Sequence, residues 1–474
     1  MSSPRTVSST ELRTRFAARL SSLYGVEVPA YRTLVEVSQE VNQRVITREG
    51  AAAERLGSID RVTAERHGAI RVGTPEELAQ VSRVFGALGM SPCGFYDLRD
   101  AAPAPVPVVS TAFRPLDRAE LAANPFRVFT SMLVPEDRRF FDPDLAGRLQ
   151  SFLASRELFP DELLALADVA IEHGELSGTD ADRFLDLAAA AFALSPDPVD
   201  RAWYTELERV SGVAADIGGV TTTHINHLTP RVLDIDDLYA SMQARGIEMI
   251  SEIQGPPRWD GPAVLLRQTS FRALSEPRTF RGADGEISRG SLRVRFGEVE
   301  ARGVALTPAG RDRYDELVAT VDRRLAEDPA LGRAHVAPEV WNRGLPTTEL
   351  DLCLAGLAFF TFQVAPSAVA GRTTPEQAAA LEQGEVDALI LAGVLQPEPI
   401  VYEDFLPRSA AGIFASNLTD GGTMDAEQGG AERDADWMAD VMAKAVNVPE
   451  ELYAREASTS LSAAESVLGL KISP

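Results

Sequence analysis

The sequence is poor in the residues that build several common kinds of site. It has 2 cysteines and 5 histidines among 474 residues, which excludes a disulfide framework and a cysteine-rich zinc site. It lacks any run of about 18 apolar residues, so no segment is predicted to span a membrane. The N-terminal residues also lack the apolar core of a secretory signal. These absences predict a cytoplasmic protein.

Basic residues are also in deficit. The chain has 46 Lys and Arg against 70 Asp and Glu, and its formal net charge is −24. Nucleic-acid binding relies on Lys and Arg clusters that neutralise phosphates, so an acidic chain without them argues against this function and against an anionic membrane surface. The composition, 45% hydrophobic and 24% charged, is that of a soluble globular protein. The length suggests roughly three domain-sized units.

The hydrophobic pattern predicts helices over residues 1–64 and then changes to a mixed order. Over 65–135 it predicts a β-α-β-β-β unit, whose helix has Thr74 as its cap, Pro75 at its first position and Gly89 at its end. The predicted elements are the strand at 67–73, the helix at 74–89 and the strands at 91–98, 106–116 and 126–133.

The same order is predicted again over 214–305, after a helical insertion at 136–213. The elements of this second unit are the strand at 223–235, the helix at 234–246 and the strands at 248–255, 263–274 and 291–303. Two copies of one unit indicate an internal repeat. The predicted class is therefore α+β, completed by a C-terminal helical region at 306–474 that contains the segment 401–418.

Two of the five histidines begin the first strands of the two repeated units. His67 and His227 thus occupy equivalent places, and pairing of the units would bring them together; the alternative is two unrelated buried histidines. His224 competes with His227, but it lies three residues away and therefore on the opposite face of a strand. His173, near a helix C-terminus, and His335 are predicted to be structural.

The last strand of the second unit supplies carboxylates for the same cavity. Glu298 and Glu300 are two residues apart, so they lie on one face of that strand, although a solvated strand face is the alternative. Two imidazoles and one carboxylate leave three positions open on iron(II) for substrate and dioxygen. Zinc uses the same ligands, and spacing does not choose between the two metals.

An arginine follows the first histidine on the same strand face. Arg71 is four residues beyond His67, about 13 Å along the strand. Its guanidinium can bind a carboxylate bidentately, unless it is an ordinary surface arginine. Arg231 has the same offset from His227, and Arg267 lies in an intervening strand. A cavity with these side chains suits an anionic substrate.

Five segments of the sequence are recognisable. They are ERHGAIRVGT (65–74), HINHLTPRVLDID (224–236), LLRQTSF (265–271), RFGEVEARGVALTPAG (295–310) and VYEDFLPRSAAGIF (401–414). These segments closely resemble the 2-oxoadipate dioxygenase/decarboxylase family, or hydroxyglutarate synthases, of the vicinal oxygen chelate superfamily. The resemblance implies two β-α-β-β-β modules that form a central half-barrel or barrel sheet.

The resemblance also implies a role for individual residues. The implied ligands of Fe(2+) are His67, His227 and Glu298, the first Glu of FGEVE, and the two histidines also contact the substrate. Arg71 is implied to bind the substrate carboxylate, beneath a covering segment 401–418. After YEDFLP the family has an apolar residue that contributes a backbone contact to the substrate, where this chain has Arg408 and then Ser409. We expect the added charge to alter the preferred length of the substrate.

The implied activity converts 2-oxoadipate and dioxygen to 2-hydroxyglutarate and carbon dioxide, a step of lysine breakdown. The expected partners are thus a 2-oxo dicarboxylic acid and O2. One alternative is another metal enzyme of the superfamily, such as an extradiol dioxygenase or a zinc lyase. A second is a non-catalytic protein that binds a small anion. Oxygen uptake with 2-oxoadipate separates the three.

Overall fold

The computed structural model describes residues 6–101, 105–273, 275–292, 295–369, 373–406, 424–425 and 427–473. Helices and strands are mixed along the chain, which confirms the α+β class. No helix in this described part is both long and apolar enough to cross a membrane.

Helices make up most of the two ends and of the region between the two predicted units. They are α1 (Ser9–Glu27), α2 (Pro29–Glu49), α3 (Ile59–Ala64), α4 (Pro75–Ala87), α5 (Arg118–Ala123), α6 (Pro143–Ala154), α7 (Asp161–His173), α8 (Gly178–Ala191), α9 (Arg201–Val210), α10 (Gly212–Gly218), α11 (Ile235–Ala244), α12 (Pro308–Glu327), α13 (Arg333–Gly344), α14 (Glu349–Leu354), α15 (Pro366–Val369), α16 (Pro375–Gln383), α17 (Val386–Leu391), α18 (Ala435–Met442) and α19 (Pro449–Leu468), with a 3-10 helix at Gly50–Glu54. At the start of α4 the Thr74 hydroxyl accepts from Glu77 N at 3.1 Å in a capping box, as its sequence predicts.

The strands are β1 (Thr6–Ser8), β2 (Arg66–Val72), β3 (Ser91–Asp97), β4 (Val108–Arg114), β5 (Arg127–Leu133), β6 (Glu175–Ser177), β7 (Val199–Asp200), β8 (His227–Pro230), β9 (Leu266–Phe271), β10 (Glu276–Arg281), β11 (Ile287–Leu292), β12 (Gly297–Arg302), β13 (Phe360–Val364) and β14 (Leu395–Pro399). The central sheet has the order β3-β4-β5-β2-β8, with β2 parallel to β5 and antiparallel to β8. β12 pairs with β9, and a backbone bridge between Arg231 and Glu300 places β12 beside the end of β8. The first strands of the two predicted units are therefore neighbours.

The second unit is less regular than its sequence predicts. The strand predicted at 248–255 is wrong, because within the described structure only Met249 and Gln254 make isolated bridges to β9. Gly255 has a φ of +96°, and the two prolines that follow it lack the N–H that a strand ladder requires.

The strand predicted at 291–303 is two strands. β11 pairs with β10 whereas β12 pairs with β9, so the chain changes neighbours between them. Just before β12, the buried Arg295 guanidinium binds Glu276 at 2.6 Å. The short strands β6 and β7 also interrupt the helical insertion predicted at 136–213, and they are too short for hydrophobic periodicity to reveal.

Both faces of the central sheet are buried, but their chemistry differs. On one face, Ile70 and Val72 of β2, Leu228 of β8 and Val299 of β12 pack with apolar residues of α1, α2, α4, α7, α8 and α11. Because side chains alternate along a strand, the residues between them point to the other face. The polar residues of β2, β8 and β12 thus share one buried face, where the candidate site lies.

Candidate metal centre

The antiparallel pairing of β2 with β8 brings the two repeat-equivalent histidines together. In the strand register His67 is opposite Thr229 and His227 is opposite Ala69, so the histidines are diagonal neighbours on one face. Their ring centroids are 5.2 Å apart, at an interplanar angle of 83°. Both side chains are buried.

Glu298 joins the histidines from β12. One of its oxygens lies 2.6 Å from His227 Nδ1 and the other lies 3.7 Å from His67 Nε2. On its far side Glu298 accepts a hydrogen bond from Gln268 of β9. One ligand atom from each of the three residues lies within 4.8 Å of the others, so His67, His227 and Glu298 can hold a metal ion.

The donor set fits a divalent transition metal. Burial lowers the pKa of His227, although Glu298 opposes the shift, and the neutral imidazole that results is the form that binds metals. The His227 Nε2 atom is buried and has no hydrogen-bond partner among the described residues. Two imidazoles and a carboxylate on one face match the facial arrangement that leaves metal positions open for substrates.

Glu300 has a different place from Glu298, although both are on the same strand face. Glu300 Oε2 lies 2.8 Å from His67 Nδ1, the ring nitrogen remote from Glu298. Burial opposes the ionisation of Glu300, but the positive charge of Arg302 and then the contact with His67 lower the pKa of Glu300 to about 2. Glu300 is therefore a charged partner that orients His67, as carboxylates commonly do for metal-binding histidines.

A buried network of arginines and carboxylates extends from Glu300, and the sequence reasoning did not find it. Arg302 binds Glu300 at 2.8 and 2.9 Å, and Arg127 of β5 lies 3.4 Å from the same carboxylate. Glu65 in turn contacts Arg127 at 2.6 Å and Arg231 at 2.9 Å. The only hint in the sequence is the charged alternation of Glu298, Glu300 and Arg302 in a strand that also carries buried apolar residues.

Arg71 lies on the same sheet face, bound to Asp216 of α10. Its positive charge helps to lower the pKa of His227, which places the guanidinium within electrostatic reach of the metal centre. Asp216 also accepts from Asn226 at 2.7 Å and lies 3.2 Å from His224 Nε2. The sequence reasoning did not find Asp216.

The other candidates are outside the histidine–glutamate group. His224 faces Asp216 rather than Glu298. Arg231 binds Glu65 at 2.9 Å, and Arg267 binds Asp236 at 2.7 Å. Arg408 and Ser409 lie outside the described residues.

The described part of the covering segment, 401–406, packs over the metal centre. The Phe405 ring meets His67 edge-on at 5.0 Å. Asp404 is held by Arg114 through two hydrogen bonds of 2.8 and 3.0 Å, and the segment's backbone accepts from Arg302. Together with Phe296, which lies 5.4 Å from His227, this gives the site an apolar and water-poor cover.

The family model of the 2-oxoadipate dioxygenase/decarboxylases matches residues 16–417. The chain belongs to this family. A family member from Mycobacterium tuberculosis is 54% identical over 96% of this chain and 98% of its own, and one from Pseudomonas putida is 41% identical over 98% of each. The crystal structure of the Pseudomonas putida hydroxyglutarate synthase in complex with 2-oxoadipate has a TM-score of 0.83, at 37% identity over 98% of this chain and 99% of that one.

Membership of the 2-oxoadipate dioxygenase/decarboxylase family bears on the alternatives left by the sequence. The curated relatives carry the name of an enzyme, which disfavours a protein that only binds an anion. They also carry the name of a dioxygenase that decarboxylates, which disfavours a zinc lyase. The buried His67–His227–Glu298 group could hold a metal ion.

Proposed function

We propose that the protein is an iron(II)-dependent dioxygenase that converts 2-oxoadipate and O2 to 2-hydroxyglutarate and CO2, in lysine breakdown. The observation that carries the proposal is the buried group of His67, His227 and Glu298 on the sheet face that also holds Arg71. Family membership and the 2-oxoadipate-bound relative support the substrate. The reaction balances, because CO2 leaves with the oxygens of the C1 carboxylate and both atoms of O2 enter 2-hydroxyglutarate, one in its new carboxylate and one as its hydroxyl.

We further propose that residues 65–135 and 214–305 are paired vicinal oxygen chelate modules, with 136–213 inserted between them. The side-by-side placement of β2 and β8 supports this arrangement. It divides the ligands between the modules, with His67 from the first and His227 and Glu298 from the second. Residues 1–64 and 306–474 then surround the paired modules.

Iron(II) held by His67, His227 and Glu298 would supply dioxygen activation and chelation of a 2-oxo acid. The protein's own groups prepare the site for this chemistry. Glu300 fixes the orientation of His67, and burial keeps His227 neutral. Phe405 and Phe296 cover the two imidazoles and exclude water, which protects reactive species from side reactions.

Arg71 would bind a carboxylate of the substrate. Its ion pair with the carboxylate of Asp216 supports this role, because the buried guanidinium already makes a charge-assisted bond to a carboxylate. Asp216 also offsets the cost of burying the Arg71 charge before a ligand arrives. We propose a backbone contact from Arg408 and Ser409 to the substrate.

An oxygen electrode tests the proposal directly. Protein loaded with iron(II) is expected to consume one O2 for each 2-hydroxyglutarate and CO2 formed from 2-oxoadipate, with slower uptake for the shorter 2-oxoglutarate. Zinc-loaded protein and Glu298→Gln are controls that should consume none. Conversion of 2-oxoadipate without oxygen uptake, or full activity with zinc, would overturn the proposed function.

A further inference from the structure

A cavity of about 310 Å³ is lined by His224 but by none of the three candidate metal ligands. Its walls come from the connection between α8 and β7, the loop after α10, and β10. Among the lining residues are Arg278, Arg281, His224, Thr222, Ser195 and Val199. The volume is at the lower end of the range of small-molecule sites, about 300–1,000 Å³. The cavity therefore has room for a compact ligand.

Arg278 is the unusual member of this lining. It is half-buried, and burial lowers its pKa. Within the described structure its guanidinium has neither an ion pair nor a hydrogen bond. The nearby Glu276 contributes attraction, but its carboxylate is bound by Arg295 at 2.6 Å. An arginine that is withdrawn from water without a bound carboxylate is costly, so an anion from solution would stabilise it.

The buried arginines elsewhere show how Arg278 differs. Arg114, Arg127, Arg231 and Arg295 are each buried against a carboxylate within hydrogen-bond distance. These four fully buried guanidiniums are thus neutralised, whereas the half-buried Arg278 lies at a cavity wall without a bound carboxylate in the described structure.

A second observation comes from His224 on the same wall. Its side chain is 3% exposed, and its Nδ1 atom has no hydrogen-bond partner in the described part of the chain. The buried hydroxyl of Thr222 is likewise without a partner there. These two buried polar atoms in the cavity wall are therefore available to bind a ligand. The carboxylates of Asp197 and Asp200 also line the cavity, but both residues are exposed and are engaged with Thr221 and with the first turn of α9.

The cavity is connected to the candidate substrate arginine. His224 Nε2 lies 3.2 Å from Asp216, and Asp216 binds Arg71. The charge of Asp216 also acts on Arg278, whose pKa it raises against the larger effect of burial. Two side chains, His224 and Asp216, therefore separate an anion in the cavity from Arg71.

We propose that this cavity is a second binding site, for a small dicarboxylate, from which the substrate passes to Arg71. Arg278 is its principal cation and Arg281 assists from the rim. The site rests on the proposed function for the identity of its ligand, a dicarboxylate of the substrate's size. Arg278 and Arg281 would supply local positive charge for a dianion, which a chain with a net charge of −24 repels at long range.

Binding is tested with adipate, which lacks the keto oxygen that chelates a metal. The full-length protein carrying Arg71→Ala is titrated by calorimetry, so that the active-site arginine does not contribute. We expect one adipate per chain, and affinity at least about tenfold weaker when Arg278→Gln is added. Arg289→Gln is the matched control, because Arg289 is exposed on the neighbouring strand β11, is outside the cavity lining, and carries the same charge.

Absence of adipate binding to the Arg71→Ala protein would overturn the proposal. Equal affinity with and without Arg278→Gln would overturn it as well. Because this titration needs no turnover, it decides the cavity independently of the proposed oxygenase activity. Urea unfolding shows whether Arg278→Gln is folded, and we expect no loss of stability because no bound carboxylate is left behind.

Kinetics test the passage to Arg71. In protein with an intact Arg71, Arg278→Gln should lower kcat/KM for 2-oxoadipate about tenfold, leave kcat within about twofold, and weaken the dependence of kcat/KM on ionic strength. Arg289→Gln should leave all three unchanged. An unchanged kcat/KM in Arg278→Gln, or an equal fall of kcat and kcat/KM, would show that the cavity is not on the path to the metal centre.

Discussion

Replacing Glu300 with glutamine should show that Glu300 orients the candidate metal ligand His67 and does not itself bind the metal. Glu300 accepts from Arg302 at 2.8 and 2.9 Å and faces His67 Nδ1 at 2.8 Å, in a place without solvent. Glutamine keeps the shape and one acceptor oxygen, but it removes the negative charge and the second acceptor. The three metal ligands are untouched by this change, whereas Arg302 loses half of its paired contact.

The magnitude follows from these contacts. Removing one partner of a buried ion pair costs about 3–5 kcal/mol, and the acceptor that glutamine retains recovers about 1 kcal/mol. We therefore expect the free energy of unfolding of the metal-free protein to fall by about 2–4 kcal/mol. Loss of the carboxylate behind a metal-binding histidine costs about ten- to a hundredfold in metal affinity, which is about 1.4–2.7 kcal/mol.

Two measurements check these values. Urea unfolding of the metal-free protein gives the stability, and anaerobic competition with a coloured chelator gives the affinity for iron(II). Glu298→Gln is the control, as the same substitution two residues earlier on the same strand face. Glu298 contacts His67, His227 and Gln268 rather than an arginine. It should lose the metal, while the stability changes by less than about 1 kcal/mol.

Wild-type affinity together with wild-type stability in Glu300→Gln would refute this reasoning. So would the reverse assignment, in which Glu300→Gln abolishes metal binding and Glu298→Gln retains it.

Three further outcomes are expected. His227→Ala should abolish tight metal binding, while His224→Ala should retain it, as metal analysis after dialysis would show; equal loss in both would contradict the assignment. Arg71→Lys keeps the charge but loses the planar fork, so kcat/KM for 2-oxoadipate should fall about tenfold or more at full metal occupancy, and wild-type kinetics would remove Arg71 from the site. Burial raises the pKa of Asp404, but the Arg114 guanidinium lowers it by more, so this pKa lies below its ordinary value of 3.8. The ionised Asp404 therefore stabilises the folded protein above pH 3.8, and this stabilisation is lost as the pH falls further. When unfolding is followed from pH 7 to pH 2, the free energy of unfolding of Asp404→Asn should decline less steeply than that of wild type.

Local patterns predicted the two histidines as candidate metal ligands and placed Glu298 and Glu300 on one strand face, and the resemblance to the family then favoured Glu298. His67 and His227 stand out through their places in a repeated unit, and alternation along one strand is enough to put Glu298 on a defined face. Each inference needs only a window of a few residues and the order of elements. The structure then shows the three side chains together, through a strand pairing that the repeat suggests.

Such local patterns do not reveal the charged residues that contact the candidate site from elsewhere in the chain. Asp216 is separated from Arg71 by 145 residues and Glu65 from Arg231 by 166, and a carboxylate that will be buried looks in sequence like one that will be exposed. The same limit explains the wrong strand at 291–303. Alternation predicts that a segment is extended, but it carries no information about which neighbour the segment pairs with.

The antiparallel contact between β2 and β8 has a consequence for how the molecule holds together. It joins two stretches of chain, and the candidate metal ligands lie on both sides of it, with His67 on β2 and His227 and Glu298 on the other side. A metal ion that binds only when β2 and β8 are paired stabilises the folded protein by about 4 kcal/mol when its concentration is a thousandfold above its dissociation constant. Neither half of the chain carries a complete ligand set. Binding of a metal ion by all three residues would therefore require that the two halves have already met.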